Sequence, residues 1–107
     1  MLTTLRAVSA TPDHRPDGPA RLTVHVSGWV QGVGFRWWTR SRALELGLRG
    51  TVANLADGRV EVVAEGQRST LQALLDLLRG PRAPGQVANV AERWSQPDGR
   101  FDGFTER

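Results

Sequence analysis

The part of this chain best suited to chemistry runs Gly28-Trp29-Val30-Gln31-Gly32-Val33-Gly34-Phe35-Arg36. Three glycines within seven residues let the backbone turn so that successive N–H groups point inward, and such a concavity binds anions. A helix starting just beyond would add about half a positive charge at its N-terminus. Arg36 would sit in the first turn of that helix and offer a permanently charged fork that fits phosphate. A cation there opposes the helix dipole at a cost of ~0.3–1 kcal/mol, so stability alone would favour Asp or Glu. A residue that breaks a local rule in this way points to a ligand. On these residues alone, an ordinary glycine-rich turn with a solvated arginine remains the alternative. Two other phosphate loops are excluded. The dinucleotide fingerprint needs glycine where Trp37 stands, and the P-loop needs a lysine that the chain lacks.

The missing residue types narrow the chemistry further. There is no Cys, hence no thiol nucleophile, disulfide or thiolate-bound metal. Without Lys there is no Schiff base. His14 and His25 are the only histidines, so a three-histidine metal site cannot form within one chain. All 14 basic residues are arginine, yet the formal net charge is only +3. With no Lys, Tyr or Cys to titrate, a high isoelectric point reports missing buffers and not a strong cationic field. No apolar stretch reaches the ~20 residues needed to cross a bilayer, and the N-terminus lacks the apolar run of a secretory signal. A cytoplasmic protein with no membrane partner is expected.

These residues must be positioned by a small fold. Residues 1–20 carry Pro12, Pro16 and Pro19 among Asp and Gly, and read as a flexible tail or as a start site assigned too far upstream. Leu22, Val24 and Val26 alternate with Thr23, His25 and Ser27, as in a half-buried strand. Phe35, Trp38, Thr39, Ala43 and Leu46 share a helical face that Gly47 ends. Thr51–Leu55 and Arg59–Glu65 flank an Asp57-Gly58 turn, the signature of a hairpin. Ser69 or Thr70 is expected to cap a second helix with Leu71, Leu74, Leu75 and Leu78 on its buried face, ending at Gly80-Pro81. Val87–Ser95 reads as a strand, with a short last one near Gly103–Arg107. The resulting βαββαβ order plus a C-terminal strand is an α+β, ferredoxin-like split βαβ: an antiparallel sheet with two helices on one face and the other face open.

Two motifs carry a family resemblance. Val26-x-Gly28-x-Val30-Gln31-Gly32-Val33-x-Phe35-Arg36 resembles the first acylphosphatase signature without a mismatch, and Gly50-Thr51-Val52-Ala53-Asn54-x-x-x-Gly58-x-Val60-x₅-Gly66 resembles the second. The similarity covers residues 21–107. It implies hydrolysis of the carboxyl–phosphate bond of acyl phosphates to a carboxylate and inorganic phosphate, with no metal and no organic cofactor. It places phosphate binding on Arg36 and on the backbone of Gly28, Trp29, Val30, Gln31, Gly32, Val33 and Gly34, and orientation of the attacking water on Asn54. Thr51 departs from the family, where that position is usually aromatic, and looser packing beneath Asn54 is the expected consequence. The implied partner is a small acyl phosphate met by a monomer.

The four tryptophans divide. Trp38 and Trp94 are expected in the core, whereas Trp29 and Trp37 are expected at the surface, either beside an apolar acyl group or packed on neighbouring loops and Arg40. His25 should face the open side of the sheet, and Arg79, Arg82, Arg93, Arg100 and Arg107 read as solvated. RNA-binding domains share this strand order but need aromatics on the central strands, and none occurs from Thr51 to Ala64. A carbamoyltransferase involved in hydrogenase maturation carries a similar domain ahead of Cys-rich zinc modules. Because this chain ends at Arg107, the stand-alone hydrolase is expected.

Overall fold

The computed structural model describes residues 17–107. Seven elements follow in order: β1 (Pro19–Trp29), α1 (Phe35–Glu45), β2 (Arg49–Asn54), β3 (Val60–Gln67), α2 (Arg68–Arg79), β4 (Gln86–Ser95) and β5 (Phe104–Glu106). This is the α+β, ferredoxin-like order expected from the sequence. The sheet runs β4-β1-β3-β2-β5. Every pairing is antiparallel except β2 with β5. The single parallel pair corrects the expectation of a wholly antiparallel sheet. It arises because the chain leaves β4 at one edge, crosses the open face and enters β5 at the opposite edge.

Strand alternation builds the core. Leu22, Val24 and Val26 on β1 register against Ala64, Val62 and Val60 on β3, and Val52 on β2 joins Val62. All of these are fully buried beneath Leu71, Leu74, Leu75 and Leu78 of α2 and Phe35 and Ala43 of α1. The i, i+3, i+4, i+7 leucines thus form a core face, as their spacing predicts. Trp38 and Trp94 are half-buried at the margin of that core. Trp38 tilts against Phe35 with 6.1 Å between centroids, and Arg68 stacks 4.2 Å over Trp94.

The open face is less bare than its alternation implies. His25 pairs with Glu61 across the β1–β3 register at 2.9 Å. Glu65 is buried there. Its Oε2 accepts the Arg21 Nε–H at 2.8 Å and the Asp98 N–H at 3.0 Å, while its Oε1 accepts the Gly99 N–H at 3.1 Å. Burial alone would raise the Glu65 pKa, but these donors and the Arg21 charge outweigh it and hold it below the ordinary carboxylate value. Among the arginines expected to be solvated, Arg79 is tied down: it bridges the end of α2 to Glu92 of β4 at 2.7 Å.

The start of α2 differs from expectation for a physical reason. Gln67, not Ser69 or Thr70, is its N-cap and gives no side-chain cap bond. The helix begins two to three residues early because residues distant in sequence satisfy its free donors. Arg68 N–H donates to the Gly18 carbonyl at 2.8 Å. Ser69 donates its N–H to Asp17 Oδ1 at 2.9 Å and its hydroxyl to Asp17 Oδ2 at 2.7 Å. Of the segment expected to be a tail, residues 1–16, with His14, lie outside the described residues. Residues 17–20 are integrated: Asp17 and Gly18 hold α2, and Ala20 is buried in β1.

Candidate active site

The glycine-rich segment does two jobs in sequence. Gly28 and Trp29 still belong to β1 and pair with Val87 and Gln86 of β4, after a register shift at Ser27/Gly28. A Cβ on Gly28 would collide with the Gln86 carbonyl oxygen, so this glycine is required where two strands approach closely. The turn proper is therefore residues 30–34, shorter than the segment singled out from the sequence. It ends on Gly34 in the left-handed conformation, φ 85°, which sets the entry angle of α1.

Gly34 offers no side chain, and the first turn of α1 has no acidic residue. The helix closes its first bond from Trp38 N–H to the Gly34 carbonyl at 3.0 Å, so the amides of Phe35, Arg36 and Trp37 have no intrahelical partner. These three residues border a cleft of about 100 Å³, roughly three times a water molecule's share of liquid volume. Val30, Gly32 and Gly34 line it from the turn, Phe35, Arg36 and Trp37 from α1, Asn54 from the end of β2 and Glu106 from β5. Arg36 and Asn54, 18 positions apart in sequence, thus meet at one small concavity. Gly28, Trp29, Gln31 and Val33 lie outside its lining. A larger groove of about 670 Å³ between α2 and β4 contains Arg79, whose charge is already paired with Glu92.

Two long-range contacts hold the cleft in shape. Gln31 donates from Nε2 to the carbonyls of Leu55 (2.8 Å) and Arg59 (2.9 Å), tying the turn after β1 to the turn after Asn54. Arg36 donates from Nη1 to the Arg107 carbonyl at 2.8 Å, while Arg107 N–H donates to the Val52 carbonyl at 2.8 Å. The rest of the Arg36 fork stays available to the cleft. Sequence reasoning placed Gln31 in the loop for its backbone and Arg107 at the surface. Neither the clasp nor the tether leaves a local signal, because the partners lie 24, 28 and 71 residues away. Glu106 was also missed. It is a lining residue of the cleft, yet among the described residues it forms no ion pair with Arg36.

Strand parity revises the expectation for Thr51. Residues 51 and 53 point to the open face while 52 and 54 point the other way. Thr51 registers against Val63 and Thr105, so it does not pack beneath Asn54.

The comparisons with known proteins fall on this geometry. The acylphosphatase family model matches residues 22–106, taking in every element that reaches the cleft. The chain belongs to the acylphosphatase family. It is 63% identical over 87 residues to an acylphosphatase of Thermobifida fusca, covering 81% of this chain and 96% of that one. To an acylphosphatase of Saccharopolyspora erythraea it is 62% identical over 88 residues, 82% of this chain and 93% of that one. Among solved structures, the acylphosphatase of Bacillus subtilis superposes with a TM-score of 0.74 at 31% identity, covering 82% of this chain and 98% of that one. Membership makes this acylphosphatase-family chain a hydrolase of acyl phosphates.

Proposed function

We propose that the cleft hydrolyses acyl phosphates by direct attack of water, with Arg36 and the amides of the turn and first helical residues holding the phosphate and Asn54 holding the water. The observation that carries this reading is the meeting of Arg36, the uncapped start of α1 and Asn54 at one cleft. Phosphoryl transfer passes through a loose transition state with charge on three equatorial oxygens, so preorganised donors supply most of the catalysis. Arg36 supplies charged N–H bonds and the helix start supplies amides aligned with its dipole.

The Asn54 side chain makes no hydrogen bond to another described residue and is exposed at the cleft wall. Its amide carbonyl accepts one hydrogen of a water and aims the oxygen lone pair at phosphorus. The water oxygen bonds to phosphorus as the bond to the acyl oxygen breaks. The acyl oxygen leaves with its electron pair as a carboxylate, and the water's protons end on inorganic phosphate. A carboxylate is a good leaving group, so the step needs no strong base, which suits a neutral Asn.

The test is hydrolysis of benzoyl phosphate in the presence of EDTA. The wild-type chain should turn over, and Arg36→Ala should lose about 10²–10⁴-fold in kcat/KM, the equivalent of two charged hydrogen bonds. Wild-type-like turnover by Arg36→Ala would refute the reading.

A further inference from the structure

Trp29 and Trp37 are 68% and 61% exposed, the two largest apolar side chains left at the surface among the described residues. The structure separates them. Trp29 is in β1, outside the cleft, whereas Trp37 lines the cleft beside Arg36 and Asn54. Nothing in the folded domain accounts for Trp37. The arginine expected to stack on it, Arg40, instead donates to the Phe104 carbonyl at 2.9 Å. The cation–π contacts among the described residues go to Phe101, Trp38 and Trp94. No described residue hydrogen-bonds its indole N–H.

We propose that Trp37 is the acyl-group subsite, and that it selects acyl phosphates with an aromatic or extended apolar acyl group over acetyl phosphate. This inference rests on reading the cleft as the acyl phosphate site. The acyl carbon is one oxygen away from phosphorus, so a phosphate held by Arg36 must carry its acyl group out along the walls of this small cleft. Trp37 is the large aromatic side chain exposed there. Phe35, the other aromatic in the lining, is buried in the core. An indole gives a wide, rigid apolar surface and loses little side-chain freedom when a flat group stacks on it. A methyl group covers almost none of that surface, whereas a phenyl ring covers much of it, so the gain grows with acyl size.

The experiment compares kcat/KM for benzoyl and acetyl phosphate in the wild type, Trp37→Phe and Trp37→Ala, with inhibition by inorganic phosphate measured on each. Thermal melts confirm folding, which an exposed position should not disturb. The benzoyl-to-acetyl ratio should fall about three- to tenfold in Trp37→Ala, mostly through KM, as removal of one aromatic stacking partner would produce. Trp37→Phe should keep most of it, and the inhibition constant of phosphate should stay within about twofold. An unchanged ratio in Trp37→Ala overturns the inference while leaving the hydrolase reading intact. So does a change that weakens phosphate inhibition and both substrates alike, since Trp37 would then shape the phosphate pocket instead. Hydrolysis of neither substrate by the wild type overturns both readings.

Discussion

Two places in this fold pair an arginine with successive backbone N–H groups, and they differ in what fills them. On the open face, Arg21 and the amides of Asp98 and Gly99 converge on the buried carboxylate of Glu65. At the other, Arg36 and the uncapped amides of α1 face a cleft, and no carboxylate of the described residues bonds to them. The chemistry is the same in both: a fixed cation and aligned amides make a socket for an anion. In the first socket the chain supplies the anion and gains stability. In the second the anion has to come from solution. The start of α2 is also filled from within the chain, though without an arginine: Asp17 accepts the Ser69 N–H and hydroxyl. A glycine cap in place of an acidic one leaves the socket at the start of α1 open.

The contrast can be broken at each end, and the effects should rank in order. Arg36→Ala should remove the stabilisation that inorganic phosphate gives the wild type, since a ligand raises stability only through the folded state that binds it. The thermal shift at saturating phosphate reads this, and a shift of wild-type size in the variant would contradict the account. Arg36→Lys should lose most of it too, because the planar fork is gone. Gln31→Ala should lower kcat about tenfold by freeing the turn from Leu55 and Arg59, with a smaller change in phosphate inhibition. Steady-state kinetics on benzoyl phosphate would show the split.

At the filled sockets the readout is stability, not turnover. Glu65→Ala should cost about 1–2 kcal/mol in denaturant unfolding near neutral pH, because it removes the shared acceptor of the Arg21 Nε–H and of the Asp98 and Gly99 amides, while Arg21 keeps its bridge to Asp98 at 2.8 Å. The sign with pH follows from the lowered pKa of Glu65. Its contribution is complete above the unfolded carboxylate value of about 4.3 and is lost as pH falls through the lower folded value. The gap between wild type and Glu65→Ala should therefore close on acidification below about pH 4; a gap that widened instead would mean that Glu65 is not held as the anion. Asp17→Ala should lower the melting temperature by a smaller amount, with kcat/KM per folded molecule unchanged and the phosphate-induced shift retained.

The two sockets were unequally legible in the sequence. The open one is local: Gly32, Gly34 and Arg36 lie within five residues, and a cation in the first turn of a helix is visible as a broken rule. Asn54 needed the family resemblance, because an Asn before a hairpin turn is ordinary in itself. The filled sockets have no local signature. Arg21 and Glu65 are 44 residues apart, and Asp17 and Ser69 are 52 apart, joined only by strand register and chain crossing. For the same reason the Ser69 or Thr70 cap was a reasonable local expectation that a tertiary contact displaced. Periodicity located the buried leucines and the exposed Trp37, while Trp29 was expected at the surface from its place in the glycine-rich segment. Neither signal had a means of showing that Trp37 borders the cleft while Trp29 does not.

Asn54→Ala separates the proposed binding role of Arg36 from the proposed role of Asn54 in the attack. With benzoyl phosphate as substrate and inorganic phosphate as inhibitor, kcat should fall by about 10²–10³-fold, while the inhibition constant of phosphate changes by less than about twofold. A kcat near wild type, or a loss of phosphate binding in proportion to the loss of turnover, would contradict that division of roles.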